Sequence, residues 1–131
     1  MKNYVGRIVL LVTDYEKSAS FYETNFGFTR IFDQTTTDGQ RFLHLGIPGG
    51  TMGIWLLKAA TDEQRKHVGN QTAGQPTLVI YTSDIDGLHR RLKNNGVRLK
   101  TEIVRTLDYA FLHCYDLDGN ELIVTELKES V

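Results

Sequence analysis

Two histidines in a repeated triplet are the residues best equipped for chemistry. Phe42-Leu43-His44 recurs as Phe111-Leu112-His113. An imidazole titrates near neutrality and serves as acid, base or hydrogen-bond partner. Arg7 and Glu121 come next: a guanidinium fork suits a carboxylate or phosphate, and a carboxylate suits general-base work. His44, His113 and Glu121 are thus the candidate catalytic groups. They could also form an unusual metal site, but no short ligand spacing supports one. Cys114 is the single cysteine. It has no internal disulfide partner and reads as a buried core thiol. His67 and His89 fall on helix faces expected to be exposed and carry no role.

These groups must be positioned by a small chain. Its 131 residues suffice for one domain with a sizeable core and are too few for two ordinary ones. Hydrophobic residues at 40% and charged residues at 24% are an ordinary globular balance, which excludes a wholly disordered chain. The net charge of −1, with both signs scattered, leaves no basic face to neutralise many phosphates, so nucleic acid is not an expected partner. The apolar run Ile8 to Val12 is shorter than the roughly 7–15 residues of a signal-peptide core or the about 20 of a membrane helix. A cytoplasmic setting with no membrane partner is the expectation.

The two halves match beyond the histidine triplet. At the same spacing Gly50 matches Gly119 and Ile54 matches Ile123. Upstream, Thr13-Asp14 matches Ser83-Asp84, and Gly27 matches Gly96. Two copies of roughly 70 residues are too few and too long for a solenoid and indicate duplicated modules. In the first module the all-apolar run Ile8–Val12 predicts a strand covered on both faces. Asp14 suits a helix N-cap, Tyr15, Ala19, Tyr22 and Phe26 form one helical stripe, and Gly27 suits the left-handed C′ position. Three strands should follow: Thr29–Gln34, Arg41–Ile47 and Thr51–Leu57. The second module repeats the plan, with Val79-Ile80-Tyr81 leading to Asp84. Its helix carries Ile85, Leu88 and Leu92, and its strands should be Val97–Val104, Tyr109–Tyr115 and Glu121–Leu127. Between the modules, Thr61-Asp62-Glu63-Gln64 reads as a capping box opening a short helix that ends at Gly69. The expected organisation is a single domain over 1–131: module one about 1–58, a linker helix within about 59–74, and module two about 75–128.

This order resembles the glyoxalase, bleomycin-resistance and extradiol-dioxygenase superfamily, the vicinal oxygen chelate proteins. The resemblance rests on Val12-Thr13-Asp14-Tyr15-Glu16-Lys17-Ser18-Ala19-Ser20-Phe21-Tyr22, on Asn25-Phe26-Gly27-Phe28, and on Asn95-Gly96-Val97. It rests also on Asp116-Leu117-Asp118-Gly119-Asn120-Glu121-Leu122, where Leu117 replaces a common proline. It implies an α+β fold of two βαβββ modules, a curled mixed sheet around an open cavity, and assembly as a homodimer. Metal-dependent members place one ligand on the first and last strand of each module. Here those positions fall on Arg7, Ile54 (or Trp55, one step on), Leu78 (or Thr77) and Ile123. Guanidinium and aliphatic groups offer no lone pair to a divalent ion. No metal and no other cofactor is expected, and with the metal goes the usual Lewis acid of this chemistry.

From those positions strand alternation assigns the cavity wall. Val9 and Leu11 join Arg7, and Glu121 and Thr125 join Ile123. Phe42, His44, Phe111, His113 and Tyr115 face inward, Leu43, Leu45, Leu112 and Cys114 face the core, and Leu78 and Ile80 complete an apolar wall. Trp55 turns on one register step. The expected ligand-binding set is therefore Arg7, Phe42, His44, Trp55, Phe111, His113 and Tyr115. Three functions compete for it. The leading one is metal-free binding of a small aromatic or amphipathic molecule. The alternative is a lyase or isomerase using His or Glu acid–base chemistry, with or without an atypical metal. The third is a vestigial cleft in an interaction module.

Overall fold

The computed structural model of the protein describes residues 1–128. The chain divides into two compact units, Met1–Val68 and Gly69–Val131. Among the described residues no helix is long and apolar enough to cross a membrane.

Unit one runs β1 (Arg7–Val12), α1 (Tyr15–Phe26), β2 (Thr29–Thr35), β3 (Arg41–Gly46), β4 (Gly53–Lys58) and α2 (Asp62–His67). Helix α1 starts where the Asp14 carboxylate accepts a hydrogen bond from the Lys17 N–H at 2.9 Å. It stops at Gly27, whose φ of +71° suits a residue without a Cβ. The four strands form a mixed sheet in the order β1-β4-β3-β2, with β1 and β4 parallel and the other pairs antiparallel. Register settles the faces. Ile8, Leu10 and Val12 of β1 lie opposite Ile54, Leu56 and Lys58 of β4, and Ile54 and Leu56 lie opposite Leu45 and Leu43 of β3. Leu10, Val12, Leu43, Leu45 and Leu56 are fully buried with Ala19 and Tyr22 of α1. Burying each such aliphatic side chain stabilises by about 1.5–3 kcal/mol before entropy is counted.

The other face of this sheet is not core. Val9 is 40% exposed, so β1 is covered on one face and not, as its apolar run predicts, on both. Ile8, at 37%, loses cover near the strand's start.

Unit two repeats the plan with β5 (Leu78–Tyr81), α3 (Ile85–Asn94), β6 (Val104–Arg105), β7 (Tyr109–Tyr115) and β8 (Glu121–Leu127), in the order β5-β8-β7-β6. Asp84 caps α3 by accepting from the Gly87 N–H at 3.0 Å. Ile85 and Leu92 pack fully buried with Leu112, Cys114, Leu122 and Val124. The strand expected over Val97–Val104 is mostly absent. Lys100 and Thr101 both direct their N–H groups at one acceptor, the His113 carbonyl, at 2.8 and 3.2 Å. Two residues then oppose one, the ladder breaks in a bulge, and only a bridge at Leu99 and the short β6 remain. Helix α2 ends at His67, with Val68 as its cap, a residue before the glycine expected to stop it.

Candidate functional site

The uncovered face of the first sheet is an aromatic row. Val9 lies opposite Trp55, and Trp55 opposite His44, so all three side chains share a face with Arg7. The His44 ring stands 5.2 Å from that of Phe32 and 5.2 Å from that of Trp55, and Phe42 lies 5.6 Å from Trp55. Such spacings are those of favourable ring pairs. The row therefore brings together four of the residues expected to bind a ligand: Arg7, Phe42, His44 and Trp55.

Arg7 reaches across this face. Its Nε donates to His44 Nδ1 at 3.0 Å, and its Nη1 donates to the Gly6 carbonyl at 2.6 Å. It has room because its register partner is Gly53. Burial first, and the Arg7 charge second, hold the His44 pKa below the ordinary 6.5. Protonation would place an imidazolium against a guanidinium and remove the acceptor. The unfolded chain thus takes up this proton before the folded one does. The stability contributed by neutral His44 is intact above about pH 6.5 and is lost as pH falls through the lower folded value. Thermal unfolding followed from about pH 8 to about pH 5 should show Tm declining below about 6.5. In His44→Phe that part of the profile should be flat.

The second sheet carries a related constellation with opposite polarity. Phe111, His113 and Tyr115 alternate along β7 and lie opposite Thr125, Ile123 and Glu121. Glu121 is only 7% exposed. One of its oxygens lies 2.6 Å from His113 Nδ1, and the other accepts from Lys100 Nζ at 2.9 Å. Those two bonds, that of Lys100 first, hold the Glu121 pKa below the usual carboxylate value. A carboxylate at Nδ1 makes that nitrogen the donor, so the Nε2 of a neutral His113 is an acceptor. With both oxygens engaged, Glu121 is better suited to orienting His113 than to taking a proton itself. Phe111 stands 5.7 Å from His113, and the Arg98 guanidinium lies 4.0 Å over the Tyr115 ring.

Register corrects two of the four positions expected to correspond to metal ligands. Ile54 lies on the helix-covered face at 7% exposure, and Trp55 takes its place beside Arg7 and His44. The reason is one extra residue after Gly50: His44 pairs with Trp55 eleven residues on, whereas His113 pairs with Ile123 ten residues on. Leu78 and Ile80 lie opposite Leu122 and Val124, so both face the core side of the sheet, Leu78 buried and Ile80 half-buried, and neither is cavity wall. Val79, opposite Ile123, shares the face of His113, and alternation adds Thr77. The four positions are therefore Arg7, Trp55, Thr77 and Ile123. One weak hydroxyl among a cation, an indole and an alkyl group does not fit a divalent ion. Among the described residues, no three His, Cys, Asp or Glu side chains are grouped to hold one.

Other candidates fall away. Cys114 is fully buried, and burial with the nearby Asp116 pushes its thiol up to about 12, far from a reactive thiolate. His67 pairs with Glu63 at 3.1 Å. His89 is more covered than its helical position suggests and pairs with Glu102 at 2.6 Å. A depression of about 460 Å³ opens at the far end of the first sheet, lined by Leu11, Tyr15, Arg41, Leu57 and Lys58 among others. Two participants were not foreseen. Phe32 joins His44's face because the β2 register slips between Arg30 and Phe32, against simple alternation, and Lys100 reaches Glu121 only through the bulge in the second unit.

Comparison with known proteins agrees with this architecture. The family model described as the Glyoxalase/Bleomycin resistance protein/Dioxygenase superfamily matches residues 4–124. An uncharacterized protein of Shewanella frigidimarina (strain NCIMB 400) is 29% identical over 132 residues, covering 98% of this chain and 97% of its own. Among solved structures, UcmS2 superposes with a TM-score of 0.81 at 20% identity, over 95% of this chain and 98% of its own. TnmS3, an antibiotic binding protein from Streptomyces sp. CB03234, gives 0.77 at 24% identity, over 97% of this chain and 98% of its own. The match along nearly the whole chain, with the paired βαβββ topology, places the protein in the glyoxalase/bleomycin resistance protein/dioxygenase superfamily.

Proposed function

We propose that the protein binds a small aromatic or amphipathic organic molecule, without a metal, on the aromatic faces of its sheets. The observation that carries this is the row Phe32, His44, Trp55 and Phe42 on a sheet face that the unit's own helix does not cover. Flat apolar rings with a few placed polar groups are the usual lining of a small-molecule site. The structural likeness to an antibiotic binding protein supports the same reading. A homodimer belongs to the proposal through the family resemblance, and a cytoplasmic setting and a single domain over the whole chain belong to it as the sequence expectations stated above. Isothermal titration against a panel of planar aromatic compounds is the test. Saturable heat with at least one of them, weakened roughly tenfold in His44→Ala, is expected. Silence across the panel would contradict it.

A second reading is favoured by one observation. His113, oriented by Glu121 at 2.6 Å, has the arrangement of a general base held by a carboxylate. A lyase or isomerase would use His113 Nε2 to take a proton from a bound substrate. In that case His113→Asn would abolish turnover while leaving binding within about threefold.

A further inference from the structure

Among the described residues, two buried nitrogens in the aromatic row have no hydrogen-bond partner: His44 Nε2 and Trp55 Nε1. What each must be is fixed by chemistry. An indole nitrogen carries a hydrogen and only donates. The arginine guanidinium is permanently charged and also only donates, so the 3.0 Å contact from Arg7 Nε makes His44 Nδ1 the acceptor. A neutral imidazole has one N–H, and it therefore sits on Nε2. Two buried donors thus stand without acceptors on rings whose centroids are 5.2 Å apart.

Leaving a buried donor unsatisfied is costly, and native structures nearly always supply the partner from protein, water or ligand. A cation cannot satisfy an N–H, and neither can a ligand offering only donors. We infer that the first-unit site recognises a planar aromatic molecule through a hydrogen-bond acceptor, a carbonyl or quinone-type oxygen, set against His44 Nε2–H and Trp55 Nε1–H. Arg7 is the positioning residue that makes His44 a donor. This rests on the binding reading above and narrows it: the neighbouring rings of Phe32 and Phe42 select flat apolar frames, and the two donors select the oxygen they carry. It also changes the expected part of Arg7, from anchor of a ligand carboxylate to custodian of a tautomer.

The experiment has two arms on the full chain. Long-range proton–nitrogen spectra of the labelled protein at neutral pH should show His44 protonated on Nε2 and bare on Nδ1. In Arg7→Leu that fixed pattern should give way to a mixture, while Arg7→Lys, which still donates, should restore it. A native His44 protonated on Nδ1 would overturn the inference without any ligand. The second arm titrates 9-fluorenone-2-carboxylate against fluorene-2-carboxylate, flat frames that differ only in the ring carbonyl. The ketone should bind roughly tenfold more tightly, and His44→Phe combined with Trp55→Phe should shrink the ratio below about threefold. Equal affinities would overturn the acceptor assignment and leave the aromatic-binding reading standing. Binding of neither compound would strike that broader reading as well.

Discussion

Gly53→Ala is expected to damage the fold and the site together. Gly53 lies opposite Arg7 on β1 and Gly46 on β3. A Cβ there would meet the Leu45 carbonyl oxygen at 2.7 Å, the end of Ile31 at 2.9 Å and Cδ of Arg7 at 3.4 Å. Ile31 can swing aside, but the carbonyl belongs to the sheet and cannot. Overpacking of this kind costs about 1–3 kcal/mol, and Arg7 must also give ground on its way to His44. Denaturant unfolding should show a midpoint loss of that size with an unchanged m-value, and the His44 tautomer should no longer be fixed. An alanine variant as stable as the parent would show that the contact between β3 and β4 is looser than the geometry states.

The second large effect is expected at Glu121. Glu121→Gln keeps the shape but removes the charge between Lys100 and His113. A charge-assisted hydrogen bond in a buried setting is worth about 1.5–3 kcal/mol, and Lys100 is half exposed, so the loss expected is that of the His113 bond alone. That corresponds to roughly 5–10 °C in Tm for a chain of this size. The pH dependence has the opposite window to that of His44. Glu121 has a lowered pKa, so its contribution is present above the usual carboxylate range and is lost as pH falls through the lower folded value. Scanning calorimetry of the parent and of Glu121→Gln should therefore diverge at neutral pH and converge in acid. Parallel curves down to the acid limit would remove the pair from the account.

Much of this architecture is legible in the residues, for identifiable reasons. The repeated Phe-Leu-His triplet and the paired Asp and Gly signals mark helix starts and stops, and these are local chemistry. Strands β3 and β7 also read correctly, because in Phe111-Leu112-His113-Cys114-Tyr115 larger and smaller apolar groups alternate between faces. Register was harder. Leu78-Val79-Ile80-Tyr81 is apolar throughout, so no alternation tells its faces apart, and Leu78 proved to be core. The matching spacing of Ile54 and Ile123 misled for a different reason: one added residue between Gly50 and β4 shifts every later side chain to the other face. The bulge at Lys100 and Thr101 has no glycine to announce it. The polarity of the two histidines depends on partners set by the fold, Arg7 37 residues from His44 and Glu121 across a turn from His113.

Trp55 is the only tryptophan in the chain, so its fluorescence reports on the aromatic row alone. Titrating the native protein with planar aromatic compounds while following that emission is the most direct test of a binding function. Saturable quenching that weakens in Arg7→Leu and His44→Ala, with both variants still folded, is the predicted result. Emission that stays flat with every compound, or quenching that is linear and indifferent to both substitutions, would contradict the account.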